Sequence, residues 1–222
     1  MIIFLRYPVK KIPRKIQIWQ GLRNATRALH PPLIVLASTS PYRRGLLERL
    51  RLPFEVRAPA VEESALPGEA ARDTALRLAQ AKARAVAPDC PAALIIGCDQ
   101  VALLGGVALG KPGTHANAVD QLKAMRGRSV IFHTALALLN ARTGALQSAE
   151  VPTTVRFRHY DDSDIERYLA AERPYDCTGS AKIEGIGIVL VESVHSDDPS
   201  ALIGLPLIQL AAMLRNQGVV IV

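Results

Sequence analysis

Residues 33–50 read LIVLASTSPYRRGLLERL, and this stretch decides the fold. Leu33 to Ala37 are five apolar residues in a row, the signature of a buried strand, whereas Leu46, Leu47 and Leu50 recur on one helical face. The chain therefore passes from strand to helix through Ser38, Thr39, Ser40 and Pro41. Ser40 is placed to cap that helix, and Pro41 suits a first helical position whose N–H would be unused. Backbone donors and the positive end of the helix dipole then face the turn, which predicts an anion site. Arg43 and Arg44 in the first turn oppose the dipole unless an anion is present, so they strengthen that expectation.

Working outward, the 222 residues are enough for one sizeable core. The net charge of +7 invites a nucleic-acid reading, but its distribution argues otherwise. Seven of the 27 basic residues and none of the 20 acidic ones lie within residues 1–32, leaving 20 of each sign in the remainder. The body is thus neutral, and at 5% aromatic content it offers few stacking platforms for single strands. Residues 1–32 read as a basic N-terminal extension, disordered or loosely packed and interrupted by Pro8, Pro13, Pro31 and Pro32. An upstream start codon or a membrane or nucleic-acid tether are its other readings. The functional domain is expected over 33–222. Cys90, Cys98 and Cys177 form no C-x-x-C pair, and their odd number disfavours a paired disulfide framework. A reducing, cytoplasmic compartment and a soluble protein are expected.

Further along, the pattern predicts a strand over 52–58 and a loop carrying Glu62 and Glu63. An Ala-rich helix over 76–87 should present Lys82. A strand over 92–97 should deliver Cys98, Asp99 and Gln100 to its C-terminal end, where open α/β sheets build sites. A hairpin is expected at Gly105–Gly106, a helix capped by Thr114, and strands over 130–140 and 146–160. A helix with a Ser163/Glu166 capping box and a last helix over 206–217 complete the chain.

Lys82, Lys111 and Lys182 join the two arginines as a set suited to a polyphosphate. The carboxylates Glu62, Glu63 and Asp99 would sit badly beside phosphates unless a divalent cation lies between them. That combination points to metal-assisted cleavage of a phosphoanhydride. No G-x-x-x-x-G-K-[ST] loop is present, the five histidines lack paired metal-ligand spacing, and no serine sits in a G-x-S-x-G context.

Six segments in order, S-T-S-P-Y-R-R, A-Q-A-K-A, G-C-D-Q-V, G-K-P, G-S-A-K-I-E-G and G-L-P, resemble the Maf family of nucleoside triphosphate pyrophosphatases. The resemblance implies an α/β fold, a mixed twisted sheet flanked by helices with a central cleft, related to the inosine triphosphatase architecture. It also implies a divalent metal cation, Mg or Mn, and hydrolysis between the α and β phosphates. Carried over by motif, Asp99 is the proton acceptor that activates water, with Glu63 and Asp99 on the metal. Ser38, Ser40, Arg43, Arg44, Lys82, Lys111 and Lys182 fall to substrate binding. D-Q after the strand and K-x-E-G later resemble the branch acting on 7-methyl-GTP. On that reading Gln100 and Glu184 meet the guanine edge and Tyr42 stacks on the methylated base, standing where Trp is expected in that branch. The alternatives are the dTTP/UTP branch and a non-catalytic nucleotide-binding regulator of cell division. Beyond the small-molecule nucleotide the expected partner is a second copy, with no nucleic acid.

Overall fold

The computed structural model describes residues 32–222, so the expected basic extension lies, save Pro32, outside the described residues. In chain order the elements are β1 (Ile34–Ala37), α1 (Pro41–Glu48), β2 (Phe54–Arg57), α2 (Ala71–Val86), β3 (Leu94–Leu104) and β4 (Val107–Leu109). They continue with α3 (His115–Met125), β5 (Ser129–Asn140), β6 (Leu146–Phe157), α4 (Asp162–Glu172), β7 (Val191–His195) and α5 (Leu207–Asn216). Seven strands form one mixed sheet in the order β2-β1-β3-β5-β6-β7, with β4 added on β3. β1 runs parallel to β2 and β3, and every other pairing is antiparallel. This is the mixed α/β architecture expected from the sequence. No helix among the described residues is long and apolar enough to cross a membrane.

The strand period of two sorts the core into faces. Ile34, Leu36, Leu94, Ile96, Leu136 and Leu138 pack against α1 and α5. The alternate positions, Val35, Ala37, Ile95, Ala135 and Ala137, pack against Ala75, Ala79 and Ala83 of α2. Small residues on both sides let that helix approach closely, and Gly97 marks the tightest point. Farther along, α3 and α4 cover the ends of β3, β5 and β6 around Phe132, Val155 and Phe157.

Several boundaries differ from the sequence reading. β3 does not stop at Gly97 but continues to Leu104, because β5 pairs with it along its whole length. Asp99 and Gln100 therefore lie inside a strand. Its other edge is divided: β1 pairs with Leu94 to Gly97 and β4 with Ala102 to Leu104. Between them Cys98 to Val101 have no ladder partner on that side, and the sheet opens there. α2 begins at Ala71, ahead of the expected 76, since the Ala-rich run extends backward and buries Thr74 and Ala75. The capping box of α4 is made by Asp161 and Asp164 instead of Ser163 and Glu166. Asp161 accepts from the Asp164 N–H at 2.8 Å, and Asp164 accepts from the Asp161 N–H at 2.9 Å.

A Cβ built on Gly97 would lie 2.0 Å from the Ala79 carbonyl oxygen and 2.8 Å from the Ala83 nitrogen, both helix backbone atoms that cannot swing away. Gly97→Ala is expected to push α2 off the sheet and destabilise the fold by about 1–3 kcal/mol, and Gly97→Val by more. Urea unfolding measures this; an unchanged midpoint for Gly97→Val would refute the close approach.

Candidate active site

The opening in the sheet is the floor of a cleft of about 930 Å³. One wall is the β1–α1 junction, where Ser40 caps α1 by accepting from the Arg43 N–H at 3.4 Å. Ser38 Oγ in turn accepts from the Ser40 N–H and from Arg43 Nη1. The β3–β4 hairpin with Lys111 and residues from the segments 176–184 and 202–204 complete the lining.

Because residues alternate along β3, Asp99 points to the α2 side and Gln100 to the other. Lys82 on α2 is only 4% exposed and Asp99 only 6%, so their contact, Nζ to Oδ1 at 2.7 Å, is a buried ion pair. The same ammonium lies 2.7 Å from Glu63 Oε1, whose side chain is largely exposed. Burial raises the Asp99 carboxyl above the ordinary aspartate value, with Lys82 and Arg43 opposing that shift and the Glu63 charge adding to it. The structure pairs Asp99 with Lys82 because helix and strand meet at that point.

Glu63 and Asp99 are the pair expected to hold a metal, and their oxygens converge on one ammonium. Among the described residues no group of three or more His, Cys, Asp or Glu side chains converges, so a cage made only of protein is not formed. Two hard carboxylate donors opening into a cleft still fit Mg²⁺ or Mn²⁺, which commonly completes its shell with water and substrate phosphates.

Most of the expected substrate residues, Ser38, Ser40, Tyr42, Arg43, Lys82, Gln100, Lys111 and Glu184, line the cleft. Arg44 and Lys182 do not. Arg44 turns to solvent and pairs with Glu48 one helical turn on. Lys182 donates to Glu172 at 2.5 Å and stands 5.9 Å from the centre of the Tyr42 ring. Gln100 also departs from expectation. Its amide nitrogen donates to Thr134 Oγ1 and to the carbonyls of Ala201 and Leu202, so it holds the 198–206 loop instead of extending a free amide.

That loop was not legible as part of the site. Gly204 O accepts from Arg43 Nε at 3.0 Å and from the Cys98 thiol at 2.8 Å. Buried Asp198 accepts from Ser200 and from the Ile208 N–H at the start of α5. Only the G-L-P turn signalled it. Tyr42 donates to Asp176 at 3.3 Å and accepts from Cys177. Burial, ahead of those neighbours, raises the phenol's pKa and pushes the Cys177 thiol up to about 11. Glu184 reaches solvent at the rim, yet desolvation, ahead of the nearby Glu172 and Asp176 charges, holds its carboxyl above the usual value.

The cleft is therefore polar, lined by the cations Arg43, Lys82 and Lys111 and by the carboxylates Glu63, Glu69, Asp99, Asp176 and Glu184. Residues 33–217 match the family described as Maf-like protein. A protein of Methylobacillus flagellatus named 7-methyl-GTP pyrophosphatase is 62% identical over 189 residues, 85% of this chain and 98% of the relative. One of the same name from Paraburkholderia xenovorans is 60% identical over 191 residues, 85% of this chain and 93% of the relative. Another, from Thiobacillus denitrificans, is 58% identical over 188 residues, 85% and 94% of the two chains. A family match spanning every segment that builds the cleft, with relatives aligned over nearly their whole length, means that the chain belongs to the Maf family.

Proposed function

We propose that this chain hydrolyses 7-methyl-GTP to 7-methyl-GMP and diphosphate. The observation that carries the reading is the lining of one cleft, which brings Arg43, Lys82 and Lys111 together with Glu63 and Asp99 and with the Tyr42 ring and Glu184. A nucleotide offers anionic phosphates to the cations and a positively charged methylated base to the ring and the carboxylate. The names of the relatives supply the same substrate.

In this reading Arg43, Lys82 and Lys111 bind the phosphates beside Ser38 and Ser40 at the start of α1. Asp99 takes a proton from a water molecule whose oxygen attacks the α-phosphorus. The α–β bridging oxygen departs with diphosphate, and the proton passes from Asp99 to solvent. Glu63 and Asp99 would hold a divalent cation, which supplies charge neutralisation at the phosphates when bound. Tyr42 lies against the base with its ring fixed by Asp176 and Cys177. Glu184 accepts from the N1–H and amino group of the guanine edge, donors that thymine and uracil do not present as a pair. Pyrimidines would leave this carboxylate without that pair of donors, so the same residue would favour guanine over them. Residues 33–222 hold every group named, and the reading assigns the basic extension no role in the reaction.

Asp99→Asn is expected to lower kcat by on the order of 10²- to 10⁴-fold while the circular dichroism spectrum is retained. Turnover at the wild-type level would remove Asp99 from this role. Chelation should abolish activity and added Mg²⁺ or Mn²⁺ should restore it.

The base assignment is read from kcat/KM for 7-methyl-GTP, GTP, dTTP and UTP. The methylated nucleotide is expected to rank first, with Glu184→Gln narrowing the gap to the pyrimidines and Tyr42→Ala the gap to GTP. A wild-type enzyme that prefers dTTP or UTP would overturn the substrate.

A further inference from the structure

Residues 58–70 join β2 to α2 without helix or strand, and most of them are exposed. Such long connections in compact domains are commonly functional, and this one carries Glu63. Glu63 is itself 62% exposed, and an ion pair so open to water contributes little to holding a chain in place. Its contact with the buried Lys82 ammonium is therefore only part of what keeps the loop over the cleft.

A second grip comes from the same helix. Arg77 binds Glu69 through both arms of its fork, Nε to Oε1 at 2.6 Å and Nη2 to Oε2 at 2.7 Å. Nη2 also donates to the Ser64 carbonyl at 3.0 Å, one residue beyond Glu63. Glu69 Oε2 further accepts from Thr74 Oγ1 at 2.9 Å and from the Leu66 N–H at 3.1 Å. Glu62 closes the near side by accepting from the Ser64 N–H and hydroxyl. The Arg77 guanidinium holds the Glu69 carboxyl down to about 2, so the pair stays charged at neutral pH. Only a planar fork makes all three contacts at once; an ammonium on a lysine stem does not.

We infer that Arg77 is a positioning residue for the reaction: its guanidinium clamps Ser64 and Glu69 to α2 and thereby holds Glu63 beside Lys82 and Asp99. The inference rests on the reading above, in which Glu63 serves catalysis. Arg77 does not touch the substrate; it acts by spacing, keeping the loop carboxylate registered against the carboxylate on β3. Displacing a catalytic group by about 1 Å through a distant substitution can cost on the order of 10²-fold in rate.

The test compares wild type, Arg77→Lys, Glu63→Gln and the double variant, with Glu69→Gln standing in should Arg77→Lys fail to fold. Hydrogen exchange should speed up at residues 60–69 in Arg77→Lys while β3 and β5 keep their protection. Turnover should fall by on the order of 10²-fold in Arg77→Lys on the wild-type background, and by less than about threefold when Glu63 is already Gln. Unchanged loop protection, or a full additional loss on the Glu63→Gln background, would overturn the inference. Exchange requires no substrate, so a wild-type protein inactive on all four triphosphates would refute the functional reading while the loop measurement still decides the clamp.

Discussion

The buried contact between Lys82 and Asp99 is the constraint around which the rest is arranged. Taking an ammonium and a carboxylate out of water costs several kcal/mol per ion, and their attraction offsets that only when the geometry is good. Here a helix and a strand supply it. α2 lies on β3 so closely that Gly97 admits no side chain, and this approach brings Lys82 within 2.7 Å of Asp99. A residual advantage of burial for the neutral acid survives even beside the lysine, since the Asp99 pKa remains raised.

The sheet is open along one edge beside Asp99. The division of one edge of β3 between β1 and β4 leaves Cys98 to Val101 unpaired on that side, and Asp99, Gln100 and Val101 line the cleft there. Both faces of the sheet then contribute. Lys82 and Glu63 arrive from the α2 side, while Arg43, Gln100 and the 202–204 segment arrive from the other. Gln100, Thr134, Cys98 and Arg43 spend their hydrogen bonds on the carbonyls of Ala201, Leu202 and Gly204, so the second side is as firmly fixed as the first.

The exposed connection before α2 contrasts with this. It has no ladder and almost no burial, and what order it has comes from charge-assisted hydrogen bonds to Arg77 and from turns of its own side chains. A segment held in this way can respond to a ligand without disturbing the core, because its contacts are few and local.

Much of this was legible in the residues alone. The passage from LIVLA through STSP to a helix with Ser40 as its cap follows from hydrophobic period and capping chemistry, both local properties, and the structure has it so. The hairpin at Gly105–Gly106 and the Thr114 cap are local in the same sense. Ordered motifs likewise sufficed for the family. What only the tertiary structure decided are relations between distant segments. β3 runs on past Gly97 because β5 lies beside it, and a strand's length is set by its partner as well as by its own pattern. Arg44 and Lys182 share the charge of Arg43 and Lys111 but find Glu48 and Glu172 nearer, and no local signal separates a cation that faces a cleft from one that faces an acid. The amide of Gln100 meets carbonyls 101 and 102 residues away, and Tyr42 meets Asp176 at a separation of 134. Period and propensity act over a few residues, whereas a site is assembled by packing, and packing is where the sequence read alone stops.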